Sequence, residues 1–329
     1  MLVLNIVVWG IGPHAIKNIL PAIKGNDKLN LYGILSRDNS VVSRIAEEYK
    51  CISFSNVDKM LSDTNVQIVY VATPTGLHYG QGIKVLESNK HFWSEKPIVQ
   101  NTDQAYSLIE NANRNKLSIA EGFMYLYHPA LDFLKNILKT NQLGNLNNIT
   151  IDFGLPQLAR PGFRNDANLG GGAIYDLGTY LISAVIELFE NEKIDVKYCE
   201  LNYDKSISID TSAFVLLKIN DNINVTLKWS YNVSYRNEIN IWGQEGSLLN
   251  KRFFSKPADY SPEFVFCNLN GNTRIENIKP SNQFHNMFSV FYENIYDEVQ
   301  AKKHQEVIVK RANLLDNILL NNINRPEDL

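Results

Sequence analysis

Cysteine is almost missing from this chain: Cys51, Cys199 and Cys267 are the only three in 329 residues. They are too widely spaced for a Cys-x-x-Cys pair and too few for a disulfide framework, which points to a reducing compartment. A dominant charge is lacking too. The 32 Lys and Arg against 35 Asp and Glu leave a formal charge of −3, so nothing draws the chain toward nucleic-acid phosphates or anionic lipid. No apolar run reaches the roughly 18 residues of a membrane span. The N-terminal MLVLNIVVWG is apolar, yet it has no basic residue and no small-residue cleavage site, and it reads as a buried strand. Internal repeats, low-complexity tracts, flexible linkers and any strong Gly or Pro bias are also absent. His285 and His304 have no partners at metal-ligand spacing, so no metal is expected. No nucleophile–base set for acyl transfer is visible. The expectation is a soluble, cytoplasmic protein without nucleic-acid or membrane partners. Asparagine is abundant, and the sequons at Asn148, Asn224 and Asn232 read as chance.

What is present is a strong rhythm. Residues 4–10, 29–36, 66–74, 91–97 and 117–122 are short apolar runs, and helical periodicity falls between them over 16–23, 41–49, 77–88 and 103–116. Strands that read as continuous Val, Ile and Leu are buried on both faces, as in a doubly wound parallel sheet. After residue 122 the pattern changes. A helix over 129–138 precedes strands near 148–154, 213–219, 224–231, 238–242 and 264–268, with turn residues between them and an apolar helix over 173–189. Two helical stretches, 286–301 and 310–321, close the chain. The fold class is α/β: a doubly wound N-terminal domain over 1–122, and a C-terminal α+β domain over 123–329 with an open, mainly antiparallel sheet. The C-terminal helix is expected to pack back on the first domain.

Gly10-Ile11-Gly12-Pro13-His14-Ala15 follows the first strand and opens a helix. In such a Gly-x-Gly-x-x-Ala turn the first glycine makes the bend and the second admits a pyrophosphate. Ala15 keeps helix and sheet close, and Pro13 suits the first helical turn, where its missing N–H is harmless. The second strand ends in Ser36-Arg37-Asp38. A hydroxyl and a guanidinium there favour a 2′-phosphate and hence NADP(H), while Asp38 is the alternative, as the ribose acid of an NAD site. Ser94-Glu95-Lys96-Pro97 ends a strand on the sheet's carboxyl edge, where a partly buried Lys could donate a proton near neutrality. In Gly170-Gly171-Gly172-Ala173-Ile174-Tyr175-Asp176-Leu177-Gly178-Thr179-Tyr180 the glycines allow close approach of a ligand, and Asp176 and Tyr180 share a helix face at i and i+4. The plainer reading there is a capped helix with a satisfied Asp–Tyr pair.

These three motifs, in this order and spacing, resemble the Gfo/Idh/MocA oxidoreductases, the family of glucose–fructose oxidoreductase and inositol dehydrogenase, over essentially the whole chain. The resemblance implies an N-terminal Rossmann domain and a C-terminal domain whose open sheet often forms dimers or tetramers. It implies that Lys96, Asp176 and Tyr180 face nicotinamide and substrate as catalytic residues. It also places Thr73, Pro74 and His78 in a loop along the cofactor, beside Gly10, Gly12, Pro13, His14, Ala15, Ser36, Arg37, Glu95 and Lys96. Thr75 stands where many members have Asn.

The segment Glu121-Gly122-Phe123-Met124-Tyr125-Leu126-Tyr127-His128-Pro129 resembles dihydrodiol dehydrogenases, xylose dehydrogenases and nucleotide-sugar 3-ketoreductases, although Leu126 replaces a frequent Arg. Phe163-Arg164-Asn165-Asp166, and Tyr rather than His at position 180, resemble the 3-ketoreductase branch. By that likeness Tyr125, His128, Arg164 and Tyr175 contact substrate. Their plainer alternatives are a structural His128 before Pro129 and an ordinary loop cation at Arg164. The leading expectation is an NADP(H)-dependent keto-reductase of a nucleotide-linked deoxysugar, with NAD(H) possible. The alternatives are a free aldose, cyclitol or dihydrodiol dehydrogenase, and a non-catalytic dinucleotide-binding regulator.

Overall fold

The computed structural model describes residues 2–159 and 161–324, so the last five residues of the expected second domain lie outside it. The chain divides into two compact units. One comprises Met1–Phe123 and Gln283–Ala312, the other Met124–Asn282 and Asn313–Leu329.

The first unit is built on β1 (Leu4–Trp9), β2 (Leu29–Leu35), β3 (Ile52–Ser53), β4 (Ile68–Val71), β5 (His91–Glu95) and β6 (Ile119–Gly122). They form a six-stranded sheet in the order β3-β2-β1-β4-β5-β6, parallel throughout. The helices are α1 (Leu20–Lys24), α2 (Asn39–Tyr49), α3 (Val57–Ser62), α4 (His78–Glu87), α5 (Thr102–Arg114), α8 (Gln283–Asn294) and the part of α9 (Glu298–Leu320) up to Ala312. Both sheet faces are covered, which is why β4 is buried at every position. One face packs Val7, Val69, Val71 and Phe92 against Val85, Leu108, Ile308 and Ala312. On the other, Tyr70 meets Phe288 (5.1 Å between ring centroids) and Trp93 meets Phe291 (5.4 Å).

The second unit holds α6 (Pro129–Lys139), α7 (Thr179–Leu188) and an eight-stranded sheet in the order β14-β13-β12-β11-β7-β10-β9-β8. Its strands are β7 (Leu146–Leu155), β8 (Ile194–Asp204), β9 (Ile209–Ile219), β10 (Ile223–Tyr231), β11 (Arg236–Gly243), β12 (Gly246–Asn250), β13 (Glu263–Asn268) and β14 (Thr273–Asn277). All neighbours are antiparallel except β7 and β10. The fold class is therefore the expected one, a parallel doubly wound sheet followed by a mainly antiparallel one. The stretch Ala167–Leu188 is apolar and long enough to span a membrane, but it is 78% buried inside the protein and serves as a core segment.

The periodicity reading missed β3, α3, β8, β12 and β14. β8 and β14 form the sheet's two edges, where charged residues break the apolar pattern, and β12 is only five residues long with Gly, Ser and Asn among them. The closing helices also break elsewhere than expected. Asp297 accepts from Val299 N (3.1 Å) and Gln300 N (3.0 Å), so the new helix starts there and runs unbroken through 302–309.

Candidate active site

The strand order reverses between β1 and β4, and the Gly10 turn lies at the carboxyl end of β1. Gly10 has φ +109°, and a Cβ there would come within 2.6–2.8 Å of the Ala72–Thr73 backbone. Only glycine fits, because the ends of two neighbouring strands close on it. Gly12 differs: no heavy atom lies within 4 Å of where its Cβ would be. Nothing in the chain demands glycine at 12, and the open space at a helix start fits the approach of a pyrophosphate. Ala15–Ile19 is wound as a π-turn that runs on into α1, with Ala15 buried. Such widened turns are frequent at functional sites.

At the end of β2 the structure separates the two acceptors that the sequence left open. Asp38 caps α2, accepting from Ser40 N (3.0 Å), Val41 N (3.2 Å) and Ser40 Oγ (2.7 Å). These bonds, Ser40's side chain foremost, hold its carboxyl below the usual range. All three bonds end on Oδ1, so that oxygen serves the helix cap, and Ser36 with exposed Arg37 lies just before it on the chain.

The loop after β4 and the turn after β5 are tied together by His78. Its Nδ1 lies 2.8 Å from Pro97 O and its Nε2 2.8 Å from Thr73 O, inside a fully buried pocket. Thr73 Oγ1 donates to Gln81 Oε1 (2.6 Å), and Thr75 is buried. The sequence expectation of a cofactor loop thus has a local frame, with His78 as its pin. Lys96, half-buried, precedes Pro97 across a cis peptide bond. Beside it, Glu95 Oε1 accepts from Tyr70 Oη (2.7 Å) and lies 3.1 Å from His14 Nε2. Asn18 Nδ2 lies 3.1 Å from His14 Nδ1, which assigns Nε2 as the donor to Glu95. Burial alone would raise the Glu95 carboxyl, but His14, Tyr70 and Lys96 outweigh it and bring it down to about 2. An ionised carboxylate therefore stands next to Lys96 at any working pH.

In the second unit the triple glycine serves the chain itself. A Cβ on Gly171 would strike Arg164 O, Phe163 O and Asp166 O at 2.5–2.8 Å, and one on Gly172 (φ +114°) would strike Asp210 Oδ1. For Gly171 and Gly172 the expectation that they open space for a ligand is corrected: their space is filled by the preceding loop and β9. Asp210, which the sequence did not reveal, accepts from Ile174 N (2.8 Å) and Trp229 Nε1 (3.3 Å), and burial pushes its carboxyl up to about 7.

Ile174–Gly178 is a second π-turn, leading into α7. It presents Asp176 to Arg164, whose Nε lies 2.6 Å from Oδ2 and Nη2 3.4 Å from Oδ1. Tyr231 Oη shares its proton between Asp176 Oδ2 (3.2 Å) and Gly172 O (3.1 Å). Arg164 is thus a forked partner of the expected catalytic carboxylate. Tyr231, at the end of β10, had no signal in the sequence because its strand is distant from every motif. Arg164, Tyr231, Asn165, Thr211 and Asn232 line a cavity of about 330 Å³.

Tyr180 is 8% exposed and donates to Met124 Sδ (3.4 Å), against Phe153 and Phe254 (both 5.5 Å between centroids). Tyr175 is half-buried on the same turn. Tyr125 and His128 are each 1% exposed. Tyr125 Oη pairs with Ser183 Oγ (2.6 Å), and its ring packs on Tyr180. His128 Nδ1 accepts from Ala130 N (3.1 Å) and caps α6. The Nδ1 side of His128 thus serves the helix, and Tyr125 packs in the core against Tyr180. Burial, then Lys256, pushes the His128 ring down to about 4. Among the described residues no cluster of three or more His, Cys, Asp or Glu could hold a metal ion.

A Gly-x-Gly-x-x-Ala turn at the switch point of a doubly wound sheet, with Lys96 after the carboxyl end of β5, has the form of a dinucleotide-binding domain. The sequence agrees chain-wide. Residues 4–123 match the oxidoreductase family with an NAD-binding Rossmann fold, and residues 132–249 match the GFO/IDH/MocA C-terminal domain; this chain belongs to that oxidoreductase family. Among curated relatives it is 28% identical over 256 residues to dTDP-3,4-didehydro-2,6-dideoxy-alpha-D-glucose 3-reductase of Saccharopolyspora spinosa, covering 78% of this chain and 77% of that one. It is 23% identical to D-xylose 1-dehydrogenase (NADP(+)) 2 of Haloferax volcanii, over 86% of each chain. Among solved structures, KijD10, a 3-ketoreductase from Actinomadura kijaniata crystallised with NADP and TDP-benzene, superposes with a TM-score of 0.92. It is 23% identical and covers 97% of this chain and 98% of its own.

Proposed function

We propose that this chain is an NADP(H)-dependent reductase of a keto group on a nucleotide-linked deoxysugar. The observation that supports the cofactor preference is the engagement of Asp38 Oδ1 as a helix cap beside Ser36 and an exposed Arg37, a hydroxyl and a guanidinium suited to a 2′-phosphate. The 28% identical dTDP-sugar 3-reductase supports the substrate class. Bound NADPH would supply a hydride to the carbonyl carbon. The residues at hand do the rest. Gly10, Gly12 and the turn from Pro13 to Ala15 hold the pyrophosphate, with Thr73, Pro74 and His78 framing the adjoining loop and Glu95 fixing the Lys96 turn. The nascent alkoxide takes its proton from Tyr180 or Lys96, and the cationic Lys stabilises developing oxyanion charge. Asp176, held by Arg164 and Tyr231, orients and tunes the proton donor.

The exposed face of the C-terminal sheet, with Tyr198 set edge-on to Phe214, supports a homodimer or homotetramer. Cys51 and Cys199, pushed by burial to about 11 and about 12, are inert thiols that suit a reducing cytoplasm. The test is a fluorescence titration with NADPH and NADH, followed by a panel of dTDP-linked ketosugars, free aldoses, cyclitols and dihydrodiols. Tighter NADPH binding and turnover confined to the ketosugars are expected. Turnover confined to the free aldoses would move the chain to the oxidative reading that its xylose dehydrogenase relative suggests.

A further inference from the structure

We infer that Glu121, at the end of β6, is a positioning residue for Lys96, ion-paired with Arg311 from the C-terminal helix. The inference rests on the reading of Lys96 as a catalytic group. Lys96 begins the turn Lys96-Pro97-Ile98, and two backbone atoms of that turn are gripped by buried side chains. Pro97 O is held by His78, as described above. Pro97 has no N–H, so the next donor is the Ile98 amide, and it donates to Glu121 Oε1 at 2.9 Å in the buried core. Leaving such an amide unpaired costs about 1–3 kcal/mol, so an acceptor at this point is a requirement of the turn.

The acceptor chosen is a carboxylate that is 3% exposed and has a buried counter-charge beside it. Arg311, 5% exposed, brings Nη2 to 2.7 Å from Glu121 Oε2 and lays its guanidinium over the Phe123 ring, 4.8 Å from the centroid. The Glu121 backbone is anchored as well, since its N–H donates to His304 Nε2 at 3.1 Å. Burial and then Arg311 push the His304 ring down to about 3, so it stays neutral and Arg311 supplies the positive charge. The strand register completes the geometry: Glu121 lies opposite Ser94, two residues before Lys96. An apolar pair could fill this space without desolvating two charges. What it could not provide is a fixed acceptor for the amide two residues after Lys96.

The test compares two charge-free pairs that differ in that acceptor. Glu121→Gln with Arg311→Met keeps an oxygen for Ile98, and Glu121→Leu with Arg311→Met does not. Two readouts are taken on the full chain. One is the acetylation rate of Lys96 by acetic anhydride in the cofactor-free protein, relative to exposed Lys59, by mass spectrometry. The other is kcat, KM and NADPH affinity with a dTDP-linked 3-ketosugar. The Leu pair is expected to alter the Lys96 labelling rate and to lower kcat by about ten- to a hundredfold while NADPH affinity holds, and the Gln pair to rescue both. Equal labelling and equal kcat in the two pairs would overturn the inference. Should the Leu pair not fold, Arg311→Lys is read the same way: altered labelling with lowered kcat supports the inference, and native values for both overturn it. Failure of the Lys96 reading is distinguishable, because Lys96→Ala would then keep full turnover while the labelling difference between the pairs persisted.

Discussion

Lys96 and Tyr180 carry different expectations although both are proton-donor candidates. Lys96→Ala removes a charge as well as a proton, so kcat should fall at least about a hundredfold with NADPH affinity largely retained, measured by steady-state kinetics beside fluorescence titration. Tyr180→Phe keeps the ring that packs on Phe153 and Phe254. A loss confined to the single-turnover chemical step, with an unchanged melting temperature, would identify the phenol as the donor. Glu95 gives a stability prediction with a definite sign. Its carboxyl ionises lower in the fold than its ordinary value of 4.5, so its contribution is present above that value and lost as pH falls toward about 2. Glu95→Gln should therefore remove up to about 3 kcal/mol at neutral pH and flatten the acid limb of the melting curve. A variant that melts like the parent at both pH extremes would refute this.

At the level of elements, both nucleating motifs open helices through π-turns, and neither turn is visible in a sequence scan. Spacing assumes 3.6 residues per turn, whereas a π-turn is wider, so Asp176 could be placed near Tyr180 but not assigned to Arg164 and Tyr231. The parallel strands, by contrast, were legible because burial on both faces writes continuous Val and Ile into β1 and β4. Gly10 was legible because its constraint comes from chain geometry. Glu121, Asp210 and Arg311 were not, since their partners lie 23, 36 and 190 residues away. The start of α2 offers a clean separation of roles. Asp38→Ala should lower the melting temperature by loss of the helix cap and leave NADPH affinity unchanged. Arg37→Ala should weaken NADPH by about tenfold or more and spare NADH, as titration with both nucleotides would show. Weaker NADH binding by the Asp38 variant would return that residue to the ribose.

On the scale of the whole molecule, the first unit draws on both ends of the chain. Phe288 and Phe291 cover Tyr70 and Trp93, and Ile308 and Ala312 join the opposite core face. A fragment of residues 1–123 should therefore expose both surfaces, aggregate or stay molten, and fail to bind NADPH. Near-uv circular dichroism and nucleotide titration of that fragment would check it, and native-like spectra with binding would contradict it. Full-length protein at a hundred times the Kd of NADPH should gain about 2.7 kcal/mol. The same arrangement governs how the protein is made. On the ribosome the second unit's strands emerge before α8 and α9, so the nucleotide-binding half must wait, incomplete and sticky, until α9 has been made. Any message cut short before Arg311 yields a chain in which neither that half nor the Glu121 clamp can be finished, which makes the C-terminal helices a checkpoint against releasing truncated enzyme in folded form.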